Sequence, residues 1–320
     1  MLSCEKCITN NGYEFGYYKK SNMIDKPVAL FHIPYGTDDL SIYKTLSQMQ
    51  KIYPDVFYEN RKLYEVYGTF KNAIWNSRSL VFNCNTPTTK PGFINFRNTI
   101  ESYGLKFNIT CNNHLITEKH LNDNYQNIIL DSFHNSKHSV TVSSDLLFNY
   151  LKNKYPKYTY YRSVIASEKE NYIEFNPDYD IMLMPRKFNN NWEHLQNIPI
   201  ENRKRYELLC DDICTPFCDR TVHYNQTAQA MLNQDPSLVT INTSNYCGVH
   251  KYFENFNLYN WPLTINPTDI DKYLENGYQH FKLCGRMTHP ILIAYRAIRY
   301  LIKPEYWQDA LCWCISKAPK

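Results

Sequence analysis

No stretch of this chain approaches the roughly twenty consecutive apolar residues that a membrane-crossing helix needs, which argues against a membrane span. The opening Met1-Leu2-Ser3-Cys4-Glu5-Lys6-Cys7 has no signal-peptide core, so the expected setting is cytoplasmic. Charge of one sign is equally scarce. The 35 basic and 31 acidic side chains leave a net +4, too small a bias to argue for a nucleic-acid partner by itself. There is no Gly-x-Ser-x-Gly elbow and no His-Glu-x-x-His helix, so neither the serine-hydrolase nor the zinc-protease arrangement is encoded in its familiar form. Disorder is not expected either, because 43% hydrophobic and 21% charged residues over 320 positions supply a sizeable core.

Cysteine, by contrast, is plentiful, and the count of eleven is odd. In a reducing cytosol these thiols are not expected to pair, and the sequons at Asn108, Asn225 and Asn242 then carry no meaning. The 28 tyrosines accompany abundant Asn, Lys and Ile and read as the drift of an AT-rich genome, not as stacking platforms for bases.

Residues 1–27 form a polar arm, with a Cys4-x-x-Cys7 pair that is more often incidental than metal-binding on a terminus. From Val28 the pattern becomes regular. Short apolar runs at 28–33, 80–83, 105–110, 127–130, 158–164, 180–184, 206–209 and 279–283 read as eight strands, with 53–78 as an irregular polar insertion. Helical spacing lies between them at 40–52, 93–103, 145–154, 221–232, 266–277 and 290–301. Eight strand units alternating with helices predict a closed (β/α)8 TIM-type barrel over 28–303, with a long insertion at 236–266 before the last strand and an apolar tail at 304–320. Chemistry in such barrels sits where the loops after the strands converge. His32, Cys84, Cys111, Asp131, Cys210, Cys214 and Cys284 all fall at expected strand ends.

The densest signal is Cys210-Asp211-Asp212-Ile213-Cys214-Thr215-Pro216-Phe217-Cys218-Asp219-Arg220, followed by His223 and later by Cys247. Three cysteines four residues apart among aspartates suit a polar turn whose sulfurs converge on one point, as zinc or an iron–sulfur cluster requires. The usual cysteine spacing of a radical enzyme using S-adenosylmethionine is absent. A Cys214–His223 thiolate pair is a hydrolytic alternative. Arg286 and Lys282, at the end of the last strand, suit an anion such as phosphate or carboxylate.

The stretch from Glu207-Leu208-Leu209 through Cys214-x3-Cys218-Asp219-Arg220-x2-His223-Tyr224, then Cys247, Ile265-Asn266-Pro267-x-Asp269-x3-Tyr273-x3-Gly277 and Phe281-Lys282-Leu283-x-Gly285-Arg286 resembles the collagenase-like peptidase family, over roughly residues 200–290. That resemblance implies a β/α barrel. It also implies either the proteolysis for which the family is named or, as in its better understood branches, oxygen-independent hydroxylation of tRNA, rRNA or the ubiquinone ring on a four-iron, four-sulfur cluster. By resemblance Cys214, Cys218 and Cys247 are cluster ligands. Cys210, Cys284, Cys84 or Cys111 completes the set. Read from their positions and not from the resemblance, His223 just after the cysteine turn and Arg286 and Lys282 at the end of the last strand are the expected substrate contacts. The multi-cysteine segment is shorter here than in the hydroxylating branches. An RNA or small aromatic substrate and a heterodimer partner are the expected associations. A barrel with a structural zinc acting as a binding subunit is the non-catalytic alternative.

Overall fold

The computed structural model describes residues 27–35, 40–77, 86–135, 137–167, 175–212, 220–239, 263–285 and 289–317. Eight strands pair in parallel and in sequence order: β1 (Ala29–Pro34), β2 (Arg61–Gly68), β3 (Lys106–Cys111), β4 (Ser139–Val142), β5 (Thr159–Arg162), β6 (Ile181–Leu183), β7 (Tyr206–Leu209) and β8 (His280–Lys282). β8 pairs back onto β1, with Leu30 opposite His280 and His32 opposite Lys282, and this closes the barrel. The expected fold class is the observed one.

Two strand positions differ from the sequence reading. Residues 127–130 are not a strand but the apolar face of a helix, α3 (Asn124–Phe133), which buries Ile129, Leu130 and Phe133. The fourth strand is instead Ser-Val-Thr-Val at 139–142, too short and too polar to stand out. Nor are residues 53–78 an insertion. They contain β2, whose Arg61, Lys62 and Glu65 hid it, because Arg61 and Glu65 are buried charges and only Lys62 faces solvent. The run expected at 80–83 lies outside the described residues.

Most helices begin and end where side-chain chemistry dictates. α2 (Lys90–Ser102) starts with the Thr89 hydroxyl accepting from the Gly92 N–H and closes at Gly104, whose φ of 75° is a left-handed conformation that costs glycine little. α4 (Asp145–Lys154) is capped by Ser144, which accepts from Leu147. α1 (Ser41–Ile52) presents Ile42, Leu46 and Met49 to the barrel at helical spacing. After β7 and β8 come α5 (Arg220–Asn233), α6 (Ile270–Glu275) and α7 (Pro290–Leu301); the tail helix α8 (Trp307–Lys317) packs on α1 and α7. Among the described residues no helix is long and apolar enough to cross a membrane.

The apolar core lies between the strands and the helices. Phe31 stacks on Phe281 and leans on Tyr300 of α7, while Phe70, Phe93, Phe96 and Phe107 meet edge to face under α2 and Phe133 of α3 tilts against Phe107. Each such ring contributes roughly 1.5–3 kcal/mol on burial. The barrel lumen is divided. On the β5–β6 side it is filled by Tyr161, Ile181 and Leu183. On the β7–β8–β1–β2 side it holds His32, Glu65, Glu207, His280 and Lys282, all buried or nearly so.

Candidate functional site

The rim at the ends of β7 and β8 is built by backbone hydrogen bonds. β7 runs on into Cys210, whose N–H donates to the Lys282 carbonyl at 2.8 Å and whose own carbonyl accepts from Ile265 at 2.7 Å. The segment 263–266 therefore lies against the end of β7. Asp211 bridges to Thr264, and Asn189 and Asn190 donate to the carbonyls of Leu209 and Thr264 at 2.9 and 3.0 Å.

Asp211 is the link to β8. Its Oδ1 accepts from the Cys284 N–H at 2.5 Å, its Oδ2 lies 3.6 Å from Nε of Arg296, and Arg296 donates to the Cys284 carbonyl at 3.0 Å. Burial pushes the Asp211 carboxyl up to about 6 in spite of the nearby guanidinium. Tyr67 donates to the Leu283 carbonyl at 2.5 Å, and Leu283 donates to the His32 carbonyl, so β1, β2, β7 and β8 are tied together just under the mouth.

Across from β7, the loop after β3 receives α5. Asn113 donates to the Ala228 carbonyl at 3.3 Å, and His114 Nε2 is 2.7 Å from Asn225 Oδ1. Tyr224, Thr227, Ala228 and Met231 bury one face of the helix. The helix α5 therefore packs against the loop after β3, which stands four strands from β7 in the ring of eight. His223, half-buried, is in its first turn.

Cys214, Cys218, Cys247, Arg286 and Cys84 lie outside the described residues. Cys210 is fully buried in the apolar layer outside the lumen; burial first, then the adjacent Asp211, pushes its thiol well above the ordinary range. Cys111 likewise faces the helix layer with Phe107 and Ile109, its thiol raised by burial. Cys284 is half-buried at the rim. Lys282 points into the lumen, with Nζ 3.3 Å from Glu207 Oε2 and 4.0 Å from the centre of the Tyr67 ring. His138 is buried: it accepts from the Phe107 N–H at 3.1 Å and meets Glu101 at 3.0 Å. Among the described residues no group of three or more His, Cys, Asp or Glu side chains is arranged to hold a metal ion.

Glu65, Glu207, His280 and His114 were not singled out from the sequence. Glu207 left one signal, a lone carboxylate inside the apolar run Tyr206-Glu207-Leu208-Leu209. No family model matches the chain, and no curated protein matches it. A search of solved structures found a U32 peptidase that aligns over 86% of this chain and 98% of its own, at 11% identity and a TM-score of 0.45.

Proposed function

We propose that this barrel is an enzyme whose reaction centre lies at the C-terminal mouth beside β7 and β8, with an iron–sulfur cluster of the four-iron, four-sulfur type held by Cys214, Cys218 and Cys247. The reaction is oxygen-independent hydroxylation, or a related modification, of an RNA base or a small aromatic ring, in a reducing compartment. The observation that carries this reading is the Asp211 clamp: the residue just before the cysteine turn is tied to the residue just after β8, at the barrel end where loops converge. The motifs between residues 200 and 290 that resemble the collagenase-like peptidase family give the same reading.

The donor chemistry fits such a group. The turn and the later Cys247 would supply soft sulfur ligands, while Cys210 and Cys111 are poor candidates because both side chains lie in the apolar layer between sheet and helices, away from the lumen. A bound cluster supplies electron transfer. The chain's own residues bind and orient: Lys282 fixes a positive charge beneath the mouth, Arg286 would take an anionic group of the substrate, and His223 would reach it from the first turn of α5.

The test is metal and sulfide analysis with an absorption spectrum on protein purified without oxygen, beside Cys214→Ala and Cys247→Ala. About four irons and four sulfides per chain, lost in both variants, is the expected result. Iron-free protein after anaerobic reconstitution overturns the cluster, and stoichiometric zinc in its place favours a structural metal and a binding role.

A further inference from the structure

The helix that follows the cysteine turn has little to place it. α5 begins two residues after Cys218, and among the described elements only the single turn Pro236–Leu238 packs closely on it. Its buried face is also thin. Apart from Tyr224 and Met231 that face consists of Thr227, Ala228 and Ala230, whose apolar area is small, so burial alone holds the helix weakly.

The loop after β3, by contrast, is tightly held. Asn113 is fully buried: its N–H donates to the Trp75 carbonyl at 2.8 Å, its Nδ2 donates to the Ile74 carbonyl at 2.9 Å, and its Oδ1 accepts from the Leu115 N–H at 3.0 Å. Beside it, Asn112 accepts from the Ser77 N–H at 3.2 Å. From this base two bonds reach α5, one from Asn113 to the Ala228 carbonyl at 3.3 Å and the other between His114 Nε2 and Asn225 Oδ1 at 2.7 Å. A carboxamide oxygen only accepts, so His114 Nε2 is the donor. Asn225 and Ala228 are three residues apart and share one face, so the two bonds hold the helix across a full turn. His114 Nδ1, buried, has no partner among the described residues. A ring that leaves one nitrogen unpaired is a poor choice for packing alone, because an unsatisfied buried polar atom is costly.

We infer that His114 is a positioning residue for the cysteine site. Through Asn225 it fixes α5 to the rim after β3, and Asn225 is only roughly 8 Å along the helix axis from Arg220, where the cysteine turn ends. The turn is thereby tied at both ends, to β7 and β8 by Asp211 and to the β3 side by His114. Fixing both ends lowers the ordering cost that binding a cluster must overcome. That link to the cluster rests on the function proposed above; the anchoring of α5 does not.

The experiment is amide hydrogen exchange on the full-length protein and its His114→Ala, His114→Gln and Asn225→Ala variants, followed by anaerobic cluster reconstitution and release of iron to a ferrous chelator. Alanine is the better helix former, so propensity alone would make Asn225→Ala slow the exchange of α5. The inference requires the opposite. Exchange across α5 is expected to be about two- to tenfold faster in both alanine variants, the worth of one hydrogen bond, with the strands unchanged. His114→Gln, whose amide replaces the Nε2 donor, is expected to match the wild type. Iron release is expected to quicken by a similar factor in the two alanine variants only. Unchanged α5 exchange in a folded His114→Ala overturns the anchoring, and Asn225→Ala decides alone if His114→Ala does not fold. An equal rise in the strands overturns it too, since that is a general loss of stability. Faster exchange with unchanged iron release overturns the positioning role. A wild type that takes up no iron removes the proposed function and with it the link to the cluster, while exchange still decides whether His114 holds α5.

Discussion

Asp211 and Cys284, 73 positions apart in sequence, are joined by a 2.5 Å hydrogen bond from the Cys284 backbone to a carboxylate with no solvent exposure. The ends of β7 and β8 are thereby set against each other, and the loops that leave from them start at fixed points. A buried carboxylate is an expensive way to do this, and its cost gives a measurable signature.

With Asp211 raised from 3.8 to about 6, the folded state holds a proton that the unfolded chain has already released, so this group lowers stability as pH rises through that window. The shift corresponds to about 3 kcal/mol once pH exceeds 6. Asp211→Asn, which keeps an acceptor for the Cys284 N–H, should abolish that dependence. Denaturant unfolding of both proteins between pH 4 and 7 checks it, and parallel curves would show that Asp211 ionises without cost.

His280 acts in the opposite sense. Its folded value is depressed from 6.5 to about 3, so the unfolded chain binds the extra proton and stability rises with pH between those limits, being lost as pH falls. The contribution is a few kcal/mol and partly masks that of Asp211 in the wild type. In His280→Gln the acid limb should flatten, leaving the fall due to Asp211 in view. Thermal unfolding at matched pH values separates the two.

Removing one member of a buried ion pair strands the other. Lys282→Met leaves Glu207 without its cation and should cost about 3–5 kcal/mol, whereas adding Glu207→Gln should recover part of that loss. A double-mutant cycle in urea tests this. Additive costs would mean that the two charges are not coupled in solution.

The cysteines divide by the face of the sheet on which they lie. Cys111→Ala and Cys210→Ala should each cost about 1 kcal/mol of stability and leave bound iron and sulfide unchanged, because both thiols face the helix layer. Loss of iron in Cys210→Ala at unchanged stability would place that thiol among the ligands instead.

Six of the eight strands were expected within a few residues, and the run at 80–83 lies outside the described residues; the two strands that the sequence did not announce, β2 and β4, are both rich in polar side chains. The polar residues of β4 and Glu65 of β2 face the lumen, while Arg61 of β2 faces the helix layer, where it donates to the Tyr300 carbonyl at 2.9 Å. Glu65 in β2, and Ser139 and Thr141 in β4, satisfy one another and their neighbours across strands, Ser139 on Glu65 and Thr141 on Asn108 at 2.7 Å. Taken alone, each strand looks too polar to bury. The run at 127–130 misled for the complementary reason: four apolar residues suit a strand or one face of a helix, and only packing against β3 and α2 chose the helix.

What the chain order determines by itself is the alternation of strands and helices, their caps, and the cluster of cysteines after β7. These depend on local propensity, side-chain capping and short-range pattern, which neighbouring residues carry between them. The lumen is different. Glu207 is one acid in an apolar tetrapeptide and His280 one histidine before Phe281; neither means anything until closure of the barrel brings β8 against β1 and puts His32 between them. Only the tertiary structure decides that these charges meet, since His32 and His280, 248 positions apart, become hydrogen-bonding neighbours when the sheet closes.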